Sequence, residues 1–225
     1  MIIGIDYSIN SPGICILNEQ GVHFGTLARN SVCSNEFKET LESFNVKTWD
    51  HPKYKAISNS TIDAQGFTSD SITQANMLSD MCIDINQGKE DRSKNIAIFE
   101  GFSFGSKGNR LAQLSGYQYV ARAKMIETLI VPTNLFVYAP QTVKSVAGAA
   151  KKGQGKTSMI QRFIEHEDKL PGLENHPFYI EMCKNYDSKF RKDPTKRKPV
   201  GDWRKPIDDL IDAYWIVKTY LKKSS

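Results

Sequence analysis

Met1-Ile2-Ile3-Gly4-Ile5-Asp6 opens the chain. The run reads as a buried strand over residues 2–7, and an aspartate stands where an apolar residue should dominate. The same oddity returns further on, where Ile96-Ala97-Ile98-Phe99 is a second apolar run and Glu100 ends it. A third acidic group lies in Pro206-Ile207-Asp208-Asp209-Leu210-Ile211-Asp212-Ala213. There Asp209 and Asp212, three apart, share one face of the expected last helix. A buried carboxylate is costly unless it is paired or binds a metal. Several together suggest hard cations held by oxygen ligands. The candidate metal ligands are therefore Asp6, Glu100, Asp209 and Asp212, with Asp208 a competitor for the place of Asp209.

Working outward from the first strand, Ser11-Pro12-Gly13 is a turn, Ile14–Leu17 a second strand, Asn18–Gly21 another turn, and Val22–Leu27 a third strand. The start is thus an antiparallel meander. Residues 29–68 are polar and weakly periodic, and read as an insertion or long loop. Ile72, Ala75, Leu78, Met81, Cys82 and Ile85 give helical spacing over 71–85. Residues 95–100 form a fourth strand, and Gly101–Gly108 a Gly/Ser loop. Asn109–Ile130 is a long helix ended by Pro132. Leu135–Tyr138 is a fifth strand, and Pro140 starts a short helix, since proline suits the first helical position. Lys156–Glu165 and 206–221 are further helices, and 184–205 is a basic, proline-containing stretch expected to be mobile. There is no internal repeat. The order predicts an α/β chain with a mixed five-stranded sheet, three antiparallel strands and then β/α units, flanked by helices.

The 225 residues fit one domain with insertions or two small ones, and an apolar share of 40% supplies a core. No run of eighteen apolar residues exists, so no membrane span is expected. The N-terminus lacks the basic region of a signal peptide. Cys15, Cys33, Cys82 and Cys183 are scattered without a C-x-x-C pair, against a zinc knuckle or a disulfide framework. A reducing cytoplasm is the simplest location. The net charge of +5 is mild, but residues 139–205 hold 15 Lys and Arg against 8 Asp and Glu, which leaves the rest slightly acidic. A basic surface beside an acidic pocket suits a phosphodiester substrate with metal between.

The three acidic motifs, in this order and with the helix over 109–130 and the segment from Tyr138 to Arg162 between them, resemble the RuvC family of Holliday junction resolvases, within the RNase H-like superfamily. The size and drift point to a viral or mobile-element member acting in a host cytoplasm. The resemblance covers roughly 1–30, 70–165 and 205–222. It implies a single RNase H-like nuclease domain over 1–225, with insertions at about 31–69 and 166–204. It implies hydrolysis of branched DNA with two Mg²⁺ ions, for which Mn²⁺ would substitute. Asp6 would bridge the ions, Glu100 and Asp209 would take one each, and Asp212 would complete the shell. Lys144 and Lys156 match the family's lysines by position and would contact the scissile or adjacent phosphate, Lys156 as part of the catalytic set. Lys151, Lys152, Phe102 and Phe104 would contact DNA, and either phenylalanine would be the aromatic that wedges into the junction. A two-fold junction needs two matched cuts, which implies a homodimer. The helix over 109–130 offers the interface through Leu111, Leu114, Ala121, Met125 and Leu129, extended by Tyr117, Val120 and Ile126.

Plainer readings compete at each point. Asp6 and Glu100 could be solvated strand ends. Asp208 and Asp209 could simply favour the first turn of a helix through its macrodipole. Asp212 resists that account, because it falls among Ile207, Leu210, Ile211 and Trp215. Ala150–Thr157 looks like a phosphate-binding loop, but its first glycine is missing and a helix precedes it instead of a strand. His23, His51, His166 and His176 have no ligand spacing and read as surface or structural. Beside the resolvase stand a broader debranching or flap nuclease, an actin-like or sugar-kinase-like ATPase suggested by I-G-I-D and the hairpin after it, and a catalytically dead DNA-binding scaffold.

Overall fold

Among the described residues six strands form one mixed sheet, one more than the sequence predicts. The structure is a computed structural model that describes residues 1–52, 64–88, 91–102, 109–150, 156–186 and 205–224. Strand β1 (Ile2–Asp6) runs antiparallel to β2 (Gly13–Asn18), and β2 antiparallel to β3 (Gly21–Ala28). Strands β5 (Ile96–Glu100) and β6 (Leu135–Tyr138) then add in parallel on the far side of β1. These are the five expected strands, in the expected order of meander followed by β/α units. The sixth is β4 (Val46–Asp50), parallel to β3, and the full order is β4-β3-β2-β1-β5-β6. The chain is therefore α/β with a mixed sheet, and β1 lies inside it.

Strand β4 and helix α1 (Asn35–Ser43) correct the expectation of a loop over 29–68. Ser34 caps α1 by accepting a hydrogen bond from the Phe37 amide. Lys38 is buried yet satisfied, since its ammonium reaches Asn30 and Asp50. The segment looked polar because its buried charge is paired internally.

Alternation of side chains divides the core in two. Ile3, Ile5, Ile14, Ile16, Ala97 and Phe99 face helices α2 (Ala64–Ile85) and α3 (Asn109–Thr128). Cys15, Phe24 and Ile98 face the opposite layer, built from α4 (Pro140–Val146), α5 (Lys156–Glu165), α6 (Pro177–Tyr186) and α7 (Ile207–Ser224). Helix α6 was not expected; it lies in the second insertion and contributes Phe178, Tyr179 and Met182 to this core.

The apolar stripe of α3 does not await a partner chain. Tyr117, Ala121, Met125 and Leu129 are buried, and Leu114, Val120 and Ile126 pack against the same core. Phe67 of α2 meets Tyr117 edge-on at 4.8 Å, and the Ser79 and Thr128 hydroxyls are 2.8 Å apart. The stripe is spent on helix–helix and helix–sheet packing inside the chain. Leu111 is half-buried. The large apolar side chain that α3 leaves exposed among the described residues is Tyr119.

The four cysteines are free thiols. No helix among the described residues is long and apolar enough to cross a membrane.

Candidate acidic site at the junction of β1, β5 and α7

The same alternation aims the acids. Since Ile3 and Ile5 face α2 and α3, Gly4 and Asp6 face α7. Since Ala97 and Phe99 face α2 and α3, Ile98 and Glu100 face α7. Strands β1 and β5 are parallel, with Ile5 opposite Phe99, so Asp6 and Glu100 leave adjacent strand ends on the same side.

Two glycines let α7 lie directly on the sheet. A Cβ on Gly4 would stand 2.4 Å from the Ala213 carbonyl oxygen, and a Cβ on Gly13 would stand 2.1 Å from the Asp209 carbonyl oxygen. Gly13 pairs with Asp6 across the β1–β2 ladder. The first turn of α7 is thereby pressed against the strand end that carries Asp6. Leu210, Ile211 and Tyr214 are fully buried and anchor the helix.

Asp209 is 1% exposed and Asp208 2%. The Ser11 hydroxyl donates to Asp209 Oδ2 at 2.7 Å, and the Lys205 ammonium sits on Asp209 Oδ1. Lys205 Nζ is 3.8 Å from Asp208 Oδ1, and Asp208 Oδ1 also accepts from the Asp209 amide at 3.2 Å. Burial, followed by the negative charges of Asp209, Glu100 and Asp212, pushes the Asp6 carboxyl well above its ordinary range, while Lys205 pulls it down. Burial also raises Asp209, opposed by Lys205 and by the Ser11 hydrogen bond. The four acids singled out from the sequence thus lie in one electrostatic environment. Asp209 is among the charges that act on Asp6.

A divalent cation suits this donor set in kind: the groups are carboxylates, and their mutual repulsion is what a cation relieves. The arrangement found is not a closed cage. Among the described residues no three His, Cys, Asp or Glu side chains are gathered tightly enough to hold an ion, and Asp209 is engaged by Lys205.

The other expected residues are placed less directly. Phe102 is half-buried two residues beyond Glu100. Lys144 is exposed in the last turn of α4. Lys151, Lys152 and Phe104, the side chain of Lys156, and most of the basic stretch over 184–205 lie outside the described residues. Helix α4 precedes the phosphate-loop look-alike, so its required strand is missing. His51 and His176 are buried; His51 accepts from Arg29 Nε at 3.0 Å, and Asp70 Oδ2 takes the Arg29 guanidinium at 2.5 Å.

Three residues near the acids escaped the sequence reading. Ser11 was assigned only to a turn. Lys205 was submerged in a basic run. Gln118 of α3 donates to the Glu100 backbone carbonyl at 2.7 Å and so ties the end of β5 to that helix; nothing in a single sequence separates it from other helix glutamines.

No protein-family profile and no curated protein sequence matches the chain. Among solved structures it is similar to Thermus thermophilus RuvC in complex with a Holliday junction substrate, with 10% identity and a TM-score of 0.48 over 99% of this chain and 93% of that one. It is similar to the Thermus thermophilus RuvC structure, with 9% identity and a TM-score of 0.46 over 99% and 96%. It is also similar to the yeast mitochondrial Holliday junction resolvase Ydc2, with 11% identity and a TM-score of 0.47 over 98% and 77%. At identities and scores this low, what the chain does has to be argued from its own residues.

Proposed function

We propose that the chain is a metal-dependent endonuclease that resolves branched DNA, with four-way Holliday junctions as its substrate. One observation carries the proposal: the carboxylates of Glu100, on the adjacent parallel strand end, and of Asp209 and Asp212, on one helix, all act on the buried carboxyl of Asp6. The cost of such an arrangement is met when divalent cations are its ligands. Asp6, Glu100, Asp209 and Asp212 would hold Mg²⁺ or Mn²⁺. Such ions, when bound, stabilise the charge that develops on the attacking and leaving oxygens of a phosphodiester.

The chain's own residues supply the rest. The carboxylates repel phosphate until cations are present, which couples DNA engagement to metal. Ser11 holds one oxygen of Asp209 and limits its rotation. Gln118 fixes the carbonyl of Glu100. Basic side chains, Lys144, Lys151, Lys152 and Lys156 among them, would meet the backbone phosphates, and Phe102 or Phe104 the bases at the crossover. The whole chain would be one nuclease domain with insertions at about 31–69 and 166–204. Two matched cuts call for a homodimer, formed through a surface other than the α3 stripe.

The test is incubation of purified protein with a synthetic four-way junction and Mg²⁺, beside flap and linear duplex controls. Nicking of the junction is expected, with its loss in Asp6→Asn. No nicking by wild type, or undiminished nicking by Asp6→Asn, refutes the proposal. Equal cutting of flaps would assign the broader debranching activity instead.

A further inference from the structure

We infer that Lys205 is a tethered counter-cation of the acidic site, holding Asp209 and giving it up when divalent ions bind. The inference rests on the metal-centre reading above and adds a competitor built into the chain.

Lys205 stands four residues before Asp209 and three before Asp208, so its side chain reaches back along the first turn of α7. Its ammonium contacts Asp209 Oδ1 and lies 3.8 Å from Asp208 Oδ1. Both aspartate side chains are 2% exposed, whereas that of Lys205 is 34% exposed. The asymmetry matters. The carboxylates are fixed in the core, and the lysine comes in from the solvent side on a flexible stem.

The other Asp209 oxygen is taken by Ser11. Both oxygens of Asp209 are therefore engaged, one by a neutral donor and one by a full positive charge. A hydroxyl can remain while its acceptor also binds a metal. An ammonium competes with the metal, because it takes a lone-pair position on Oδ1 and its full charge repels the incoming cation. Lys205 stabilises the metal-free chain by neutralising buried charge, and it raises the metal concentration at which the site fills. Once displaced, its ammonium remains at the rim of the acids, where a phosphate would arrive.

The experiment is a Mn²⁺ titration of the full chain, read by calorimetry and by the shift in thermal unfolding, for wild type, Lys205→Met, Lys205→Gln and Lys205→Arg. The metal-free neutral variants should unfold at lower temperature than wild type and bind Mn²⁺ roughly tenfold or more tightly, the scale of one lost charge-assisted hydrogen bond. Lys205→Arg should stay near wild type. Should Lys205→Met not fold, Lys205→Gln carries the measurement, because its amide still donates to Asp209 without a charge. Wild-type binding with unchanged or weaker affinity in the neutral variants overturns the inference and leaves the metal centre standing. Absence of Mn²⁺ binding by wild type overturns both.

Discussion

Replacing Gly13 by alanine tests whether α7 is seated on the sheet as closely as the acidic site requires. Gly13 lies in regular strand, paired with Asp6 on one side and Thr26 on the other. On backbone grounds alone, alanine there should gain about 0.5–1 kcal/mol over glycine. The neighbour reverses the sign. The new Cβ would stand 2.1 Å from the Asp209 carbonyl oxygen, 2.2 Å from its carbon and 2.7 Å from the Leu210 nitrogen. All three are helix backbone, so no side chain can swing aside. Restoring ordinary contact needs a shift of about 1 Å in α7, which Leu210, Ile211 and Tyr214 resist from within the core. Overpacking against backbone that cannot swing aside belongs in the upper part of the usual range, about 2–3 kcal/mol, so the net loss is about 1–2 kcal/mol after the backbone gain. For a chain of this size that lowers the midpoint of thermal unfolding by about 2–8 °C. The same shift moves Asp209 relative to Asp6, and a misplacement of about 1 Å can cost about a hundredfold in rate. Thermal unfolding and junction cleavage are measured together, with Gly25→Ala as the control. There the nearest atom is the Met81 sulfur at 2.8 Å on the other face of the sheet, and a flexible thioether can give way. A Gly13→Ala protein as stable and as fast as wild type refutes the close seating of α7.

Two other perturbations probe the supporting structure. His176 is buried, its Nδ1 accepts from the Phe178 amide at 3.2 Å, and burial with nearby His23 pushes its pKa down to about 4. The unfolded chain therefore binds the proton more readily; the stability tied to neutral His176 is complete above about pH 6.5 and drains away as the pH falls towards 4, about 3 kcal/mol in all. The urea-unfolding difference between wild type and His176→Gln should shift by that amount between pH 7 and 4, and a flat difference sinks the assignment. Arg29 and Asp70 form a buried pair, their side chains 8% and 6% exposed, and Tyr117 also donates to Asp70. Arg29→Met should cost about 3–5 kcal/mol by stranding the carboxylate, while the double change Arg29→Met with Asp70→Leu should recover much of it in chemical denaturation; equal losses in the two proteins argue against a stranded charge.

Apolar runs made five of the strands legible, and their order placed the acids on separate elements. Strand β4 and helix α1 stayed hidden for a physical reason. In Val46-Lys47-Thr48-Trp49-Asp50 only Val46 and Thr48 are buried, as suits a strand at the edge of the sheet. In α1 the buried residues are Leu41 and a lysine. Pairing inside the fold makes such a segment stable, and pairing leaves no periodic trace. The α3 stripe shows the opposite error. Its spacing was read correctly as a buried face, but periodicity does not say what covers it, and here the cover is α2 and the sheet.

The acids were legible as types and spacing, whereas their convergence depends on which side of the sheet each one faces. That follows from a rule of two. Gly4 and Asp6 share a face, and the glycine is where the backbone of α7 crosses β1. Had Gly4 carried a side chain, α7 would stand off and the cluster would open. Had the aspartate fallen one residue earlier or later, it would lie against Tyr117 and Phe99 in the other core layer. Ile3-Gly4-Ile5-Asp6 is thus one device, in which the glycine admits the helix and the aspartate meets its first turn. Asp208 and Asp209 head that turn, at the positive end of the helix dipole. The dipole and Lys205 together offset the charge of the two buried aspartates, and of these two only Lys205 sits on a flexible, partly exposed stem.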